Sequence, residues 1–380
     1  MTRLRGGHTM VLAGHGFDGE GPYLSLNDME ARAKVRYHVR GKTFTLTCLP
    51  RRMCTGRFDL ATHRAEVCPL DVELSPGFKG TVCPACQEAT GFNPSFYYAI
   101  SVSAQQRAFN EQPHYTYLAY FAPGFVKAGI SAEARGVRRL LEQGARAARG
   151  VGRFPNAYAA RELEAALCMQ EGICETMRLS KKVNLLAHAR FSFADARAAL
   201  DEAAASIDLT PGAVAGQPAG GGVASDPAPA AGARRPTGDA APVSRPCASK
   251  RSEGVTSHGA PAASDPVPAP VPAAGAAAAT PLDAAMERMG CGEGGRYFDF
   301  TRAYFGDASV PACDEMQPAD LAAGACAGRC VGMVGGILVL EQGGMHFLAP
   351  VKEWESHVVE IDDGEVLHEH AFAPVQMSLL

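Results

Sequence analysis

Four cysteines in the first quarter of the chain have the spacing of a zinc site. They are Cys54, Cys68, Cys83 and Cys86, with 13, 14 and 2 residues between them. A Cys-x2-Cys turn lets two thiolates reach one ion, and two more distant cysteines complete a tetrahedron. Four thiolates leave no open coordination position, so the predicted zinc is structural. Cys48 and His63 are alternative ligands, and the competing interpretation is buried free thiols, with Cys83 and Cys86 as a redox pair.

A second group of residues suits phosphate chemistry. Two apolar runs, 115–121 and 125–130, are joined by Ala-Pro-Gly, which predicts a β-hairpin. Tyr117 lies in the first strand, Lys127 in the second, and Arg135 follows at once. Cationic side chains of this kind bind phosphate oxygens, and the arginine fork matches their geometry.

The residues after this hairpin predict an amphipathic helix over 132–149. Its apolar side carries Val137, Leu140 and Leu141, with Gly144 as an early alternative end. Five arginines share the opposite side: Arg135, Arg138, Arg139, Arg146 and Arg149. The first four are the candidate nucleic-acid-binding residues. A solvated basic face is the competing interpretation of this pattern.

The next predicted helix begins near Asn156, which has the side chain of an N-cap residue. On its helical wheel Glu164 lies beside the apolar side defined by Ala160, Leu163 and Leu167. A carboxylate in that position either pairs with an arginine or binds a hard cation such as Mg²⁺. The sequence leaves both alternatives open.

Charge is distributed unevenly along the 380 residues. Residues 31–200 contain 24 Lys and Arg against 13 Asp and Glu, whereas residues 281–380 contain 5 against 16. This asymmetry favours a nucleic-acid partner for the basic part, with attraction between the two parts as the alternative. No secretion signal is recognisable, and the longest apolar run has ten residues, too few to span a bilayer of ~30 Å. Twelve cysteines without such a signal favour a cytoplasmic protein with metal-bound or free thiols.

Composition shifts divide the chain into five predicted regions in an α+β protein. They are an N-terminal β region (1–47), a four-cysteine zinc-binding segment (48–92), an α/β domain with a small antiparallel sheet flanked by helices (113–200), an Ala/Pro/Gly-rich disordered linker (205–280) and a small all-β domain (285–380). The linker prediction follows from the lack of aromatic residues there, because such a segment buries too little apolar surface to offset its ordering entropy.

Motifs between about residues 50 and 190 resemble a bacterial family known as domain of unknown function 2797. The resemblance rests on Cys54-Thr-Gly, Cys68-Pro, Cys83-Pro-Ala-Cys, Tyr115-Thr-Tyr-Leu-Ala-Tyr-Phe, Val126-Lys-Ala-Gly-Ile-Ser and Arg139-Leu-Leu-Glu-Gln-Gly-Ala. This family name implies no activity.

The hairpin and the helices after it also resemble GIY-YIG nucleases. These enzymes place a tyrosine on each of two antiparallel strands, an arginine on the following helix and a metal-binding glutamate on a later helix. Tyr117, Gly129, Arg135 and Glu164 follow that order, whereas Lys127 stands where the second tyrosine is expected.

The resemblance implies an Mg²⁺-dependent endonuclease in which Glu164 holds the metal. Tyr117 would act on the attacking water, and Arg135 and Lys127 would stabilise charge on the phosphate. The first interpretation is therefore a zinc-containing, GIY-YIG-like protein that engages nucleic acid. The alternatives are a non-catalytic nucleic-acid-binding module and a thiol-based interaction or stress protein.

Overall fold

Two β-sheets and the helices packed on them account for most of the structure. The computed structural model describes residues 8–60, 64–92, 101–205, 292–293 and 297–363. All of these belong to one compact unit that combines residues 1–215 with residues 278–380. The predicted linker, 205–280, lies outside the described residues from position 206 onward.

Seventeen strands are present in the described residues. In chain order they are β1 (Met10–Asp18), β2 (Gly21–Asp28), β3 (Ala33–His38), β4 (Thr43–Arg52), β5 (Arg57–Asp59), β6 (Arg64–Glu66), β7 (His114–Ala122), β8 (Phe125–Ala132), β9 (Ala147–Phe154), β10 (Ile173–Cys174), β11 (Gly292–Glu293), β12 (Tyr297–Asp299), β13 (Met316–Pro318), β14 (Ala325–Val334), β15 (Ile337–Gln342), β16 (Met345–Ala349) and β17 (His357–Asp362).

The same residues contain seven α-helices. They are α1 (Pro84–Thr90), α2 (Ala104–Asn110), α3 (Arg138–Gln143), α4 (Ala157–Cys168), α5 (Leu179–His188), α6 (Phe193–Ala205) and α7 (Thr301–Phe305). The mixture of helices and several sheets confirms the predicted α+β class.

The larger sheet has nine strands in the order β13-β16-β15-β14-β4-β17-β1-β2-β3. Its strands come from both ends of the chain, since β4 pairs with β14 on one side and with β17 on the other. The division into separate β units at 1–47 and 285–380 is therefore not what the structure has. Short-range sequence patterns predict strands but not partners hundreds of residues away, which is why this pairing was missed.

The second sheet has six strands in the order β10-β8-β7-β9-β12-β11. Its central strand, β7, is buried at all nine positions, because strands flank both edges and helices cover it. The predicted hairpin is confirmed: β7 pairs antiparallel with β8, and Gly124 adopts the positive φ that the turn requires. Asn156 also caps α4 as predicted, its side chain accepting a hydrogen bond from the Ala159 amide at 2.9 Å.

The predicted helix over 132–149 is wrong in most of its length. Strand β8 continues to Ala132, a 3₁₀ turn covers Glu133–Arg135, and α3 contains only Arg138–Gln143. Gly144 ends α3 with a left-handed φ of 75°. The following residues extend into β9 because the open edge of β7 takes a third strand there, which outweighs the helical periodicity of the arginines.

One apolar core joins the two sheets. It contains Leu12, Phe44 and Leu340 of the larger sheet, Tyr117 of the smaller sheet and Leu141 of α3. Burial of this shared surface fixes the two sheets against each other.

The shared sheet predicts that the chain stays assembled after a cut between its two halves. A site-specific protease sequence inserted after Ala240 should, once cleaved, give two fragments that co-elute in native size-exclusion chromatography and separate only in denaturant. Independent elution under native conditions would contradict the pairing of β4 with β14 and β17.

Candidate functional site

The four predicted zinc cysteines lie together in the structure. Their sulfur atoms are all within 4.8 Å of one another, and each side chain is at most 2 % exposed. The Sγ atom of Cys68 lies 4.0 Å from that of Cys83 and 3.7 Å from that of Cys86. A tetrahedral zinc ion with Zn–S bonds of about 2.3 Å separates its sulfurs by about 3.8 Å. The donor set and its spacing therefore fit a metal such as zinc.

Local structure explains how these cysteines meet. Cys83 is the N-cap of α1, so Cys86 follows it one helical turn later. Gly56 has a φ of 93°, and a Cβ atom there would lie 1.8 Å from the Glu66 carbonyl oxygen, so only glycine fits this turn. The amides of Cys83 and Gly56 donate to the Cys54 sulfur at 3.1 and 3.4 Å.

The structure gives less support to Cys48 and His63 as zinc ligands, and to Cys83 and Cys86 as a reactive thiol pair. His63 lies outside the described residues, and Cys48 is half-buried and not part of the cluster. Burial raises the pKa of Cys54 to about 11 and raises that of Cys86 as well. A reactive cysteine pair needs exposure and a depressed pKa, and Cys83 and Cys86 are both buried. A bound cation would supply the charge that stabilises buried thiolates.

A cavity of about 750 Å³ lies between the cysteine segment and the second sheet. One wall comes from the segment around β5 and α1, and the other comes from β7, β8, α3 and α4. Four predicted catalytic residues line it together: Tyr117, Lys127, Arg135 and Glu164. Four further cationic side chains also line it: Lys34, Arg57, Arg139 and Arg161.

Tyr117 is held rigidly at the base of this cavity. It lies opposite Gly129 in the β7–β8 register, where an added Cβ would lie 2.4 Å from the tyrosine hydroxyl oxygen. The Gln143 amide of α3 donates to that hydroxyl at 2.8 Å. Desolvation raises the pKa of Tyr117, so the phenol keeps its proton at neutral pH. Tyr117 is therefore equipped to donate a hydrogen bond and poorly equipped to act as a base.

Lys127 lies beside this tyrosine, with its Nζ atom 6.0 Å from the ring centre. The ammonium donates to the Ala128 carbonyl oxygen at 3.0 Å. Burial lowers the pKa of Lys127, while the charge of Glu164 opposes that change. A partly desolvated ammonium with a backbone partner gains from an anion placed against it.

Glu164 is buried and already paired. A carboxylate oxygen lies 2.6 Å from the Arg161 guanidinium, which also contacts Glu175 at 2.6 Å. Of the two alternatives for this carboxylate, the structure has the arginine pair. Both acids hold the pKa of Arg161 above its usual range. A metal ion at Glu164 would have to displace Arg161, which could keep its contact with Glu175.

The predicted arginine stripe divides into members with different surroundings. Arg135 and Arg139 line the cavity, and Arg135 pairs with Glu142 at 2.6 Å. Arg138 is exposed and does not line it. Arg146 is not on α3 but precedes β9, where it donates to the Ala189 carbonyl oxygen at 2.7 Å and lies over the Phe191 ring. Burial lowers the pKa of Arg146 to about 10. Its contacts with Ala189 and Phe191 are those of a structural residue.

Three residues of the cavity were not among the predicted site residues: Gln143, Arg161 and Lys34. Gln143 follows Arg139 by four residues on the same helix, so a helical wheel restricted to α3 would have placed both on one face. Arg161 precedes Glu164 by three residues, a spacing that favours an ion pair. Lys34 reaches the cavity from β3 and donates to the Thr55 carbonyl oxygen at 3.1 Å, and no local signal points to this contact.

Among the described helices, none combines the length and apolar character needed to cross a membrane. Comparisons with curated proteins and with solved structures returned no match. Residues 99–208 match the family model described as Protein of unknown function (DUF2797). The matched range begins after the four clustered cysteines and contains α2 through α6 with β7 to β10. This match confirms the predicted DUF2797 resemblance for the motifs between Tyr115 and Ala145, whereas the three cysteine motifs lie outside the matched range.

Proposed function

We propose that this is a zinc-containing protein that binds nucleic acid through a GIY-YIG-like unit, with a backbone phosphate in the 750 Å³ cavity. The observation that carries the proposal is the charge of the cavity lining. Six cationic side chains converge on it against two carboxylates, Glu164 and Glu175. Such an excess of positive charge in a concave site attracts a polyanion.

The ion pairs of these cations indicate where a phosphate would bind. Arg57, Arg135 and Arg161 each contact a glutamate. By contrast, Lys34, Lys127 and Arg139 have no ion pair within the described part of the chain. Among these, Lys127 and Arg139 lie near each other, since the charge of Arg139 adds to burial in lowering the pKa of Lys127. A phosphate between these two side chains would neutralise both, with the Tyr117 hydroxyl as a neighbouring donor.

The arrangement of the second sheet supports the GIY-YIG-like interpretation. Tyr117 and Gly129 face each other on antiparallel strands, Arg135 follows the second strand, and Glu164 lies on a later helix. Arg135 belongs to a 3₁₀ turn and not to α3, which is a departure from the expected placement.

Zinc would act structurally in this proposal. Cys54, Cys68, Cys83 and Cys86 would hold it, and the segment that they close forms one wall of the cavity. The metal would therefore maintain the shape of the site without contacting the phosphate.

Mg²⁺-dependent phosphodiester hydrolysis is a second candidate. It is favoured by the presence of Glu164 and Tyr117 in the cavity that holds the cations. Glu164 would hold the Mg²⁺, whose contribution would be Lewis-acid polarisation of the phosphate, and Arg135 and Lys127 would stabilise the developing charge. The Arg161–Glu164 pair, the raised pKa of Tyr117 and the lysine in place of a second tyrosine make binding without cleavage the first candidate.

Purified protein should contain about one zinc ion per chain, measured by elemental mass spectrometry. Cys83→Ser should release it and unfold the cysteine segment, because the energy of a structural site is folding energy. Cys313→Ser, at a partly buried cysteine outside the cluster, is the matched control and should retain the metal. Folded wild-type protein without zinc would contradict the assignment.

Arg139→Ala should weaken nucleic-acid binding and lower the slope of log affinity against log salt concentration by about 1, because one phosphate contact is lost. Arg138→Ala removes the same charge from the same helix outside the cavity and serves as the control. Fluorescence anisotropy over a salt series measures both variants. Equal losses of affinity in the two variants would show that nucleic acid binds to a diffuse basic surface and not in the cavity.

Glu164→Gln distinguishes the second candidate from the first. If Mg²⁺ acts at this carboxylate, the substitution should abolish cleavage of labelled DNA and RNA in Mg²⁺ or Mn²⁺ and leave binding largely unchanged. Glu162→Gln, on the outer side of the same helix, is the control. If the wild-type protein binds nucleic acid in a salt-sensitive way without cleaving it, the non-catalytic function is supported and the nuclease function is contradicted.

A further inference from the structure

The cavity has an apolar, aromatic part besides its cationic part. Phe58, Phe92 and Phe109 line it, together with Leu60 and Val82. Phe58 lies on the short, exposed β5 strand, where its neighbours Arg57 and Asp59 are charged, and it is itself 37 % exposed. A partly exposed aromatic ring in a concave site offers a surface on which a ligand can pack.

The neighbouring rings are fixed by one another. Phe92 and Phe109 pack edge to face with their centres 6.5 Å apart, and Phe109 packs in the same way on His114 at 5.6 Å. Burial lowers the pKa of His114, so its ring is neutral at physiological pH. This part of the wall is therefore uncharged and preorganised, in contrast to the cations around Lys127 and Arg139.

A phosphate bound by the cations alone would not use the exposed surface of the aromatic wall. In a duplex the bases are paired and stacked on each other, so mainly phosphates and groove edges reach a protein. Unpaired bases, in contrast, stack on aromatic side chains while the adjacent phosphates contact Lys and Arg. A volume of about 750 Å³ also lies in the range of sites for small ligands, which suits a single nucleotide unit and not a helix.

We propose that the cavity receives an unpaired nucleotide of a single-stranded nucleic acid. Its base packs against Phe58, Phe92 and Phe109, and its phosphate binds between Lys127 and Arg139. This inference rests on the proposed function and specifies the substrate class. It requires the cysteine segment, because Phe58 belongs to that wall of the cavity.

The test compares one labelled 20-nucleotide strand, as DNA and as RNA, with its fully paired duplex at a single salt concentration. Wild-type full-length protein should bind the strand at least about tenfold more tightly than the duplex, as expected for one or more stacked bases. Phe58→Ala should weaken strand binding roughly tenfold and leave duplex binding unchanged. Phe58→Trp, which retains a stacking surface, should bind the strand like the wild type.

Leu70→Ala is the control for a changed exposed apolar residue in the same segment, since Leu70 is 63 % exposed and does not line the cavity. Equal affinity for strand and duplex, or no effect of Phe58→Ala in a folded variant, would overturn the inference. Displacement of the strand by an equimolar nucleoside monophosphate would also overturn it, in favour of a free nucleotide.

These outcomes are distinct from failure of the proposed function. If Arg139→Ala weakens strand and duplex equally while Phe58→Ala changes neither, phosphate binding stands and the single-strand inference is wrong. If the wild-type protein binds neither form at low salt, the proposed function itself is wrong.

Discussion

The pairing of β4 with strands from the far end of the chain is the constraint on which the rest of the structure depends. Both edges of β4 are satisfied by β14 and β17. At the end of β4, the Arg52 guanidinium donates to the Phe78 and Gly80 carbonyl oxygens at 2.6 and 2.8 Å and to the Ser356 hydroxyl at 2.9 Å. One strand therefore positions the cysteine segment against the body of the protein, and the cavity exists because that segment is held there.

The chemistry of the cavity follows from burial combined with an excess of cations. Desolvation raises the pKa of Tyr117 and lowers that of Lys127, so it disfavours ionised tyrosine and a charged lysine alike. Arg161 already forms an ion pair with the Glu164 carboxylate, which a metal ion would need as a ligand. An environment of this kind binds an anion more readily than it ionises a nucleophile. Nucleic-acid binding is therefore the first candidate function and hydrolysis the second.

Sequence patterns predicted the features that depend on neighbouring residues. The β7–β8 hairpin, the Asn156 cap and the grouping of four cysteines all follow from local turn, capping and spacing rules. The prediction of a helix over 132–149 was wrong because the pairing of β9 with β7 outweighed the helical periodicity of the arginines. The separate terminal β domains failed for the same reason at longer range. Arg146 contacts Ala189 and Phe191 because the chain leaves α3 at Gly144 and Arg146 lies just before β9.

The larger sheet, whose strands come from both ends of the chain, also has a consequence for biosynthesis. Strand β4 ends at Arg52, whereas its two partners begin at Ala325 and His357. At about 5 to 20 residues per second, roughly 14 to 55 s of translation separate the completion of β4 from the arrival of its first partner. During that interval β4 has unsatisfied backbone groups on both edges, the condition under which nascent strands associate with other chains. Shielding of both β4 edges until β14 and β17 leave the ribosome would prevent such association.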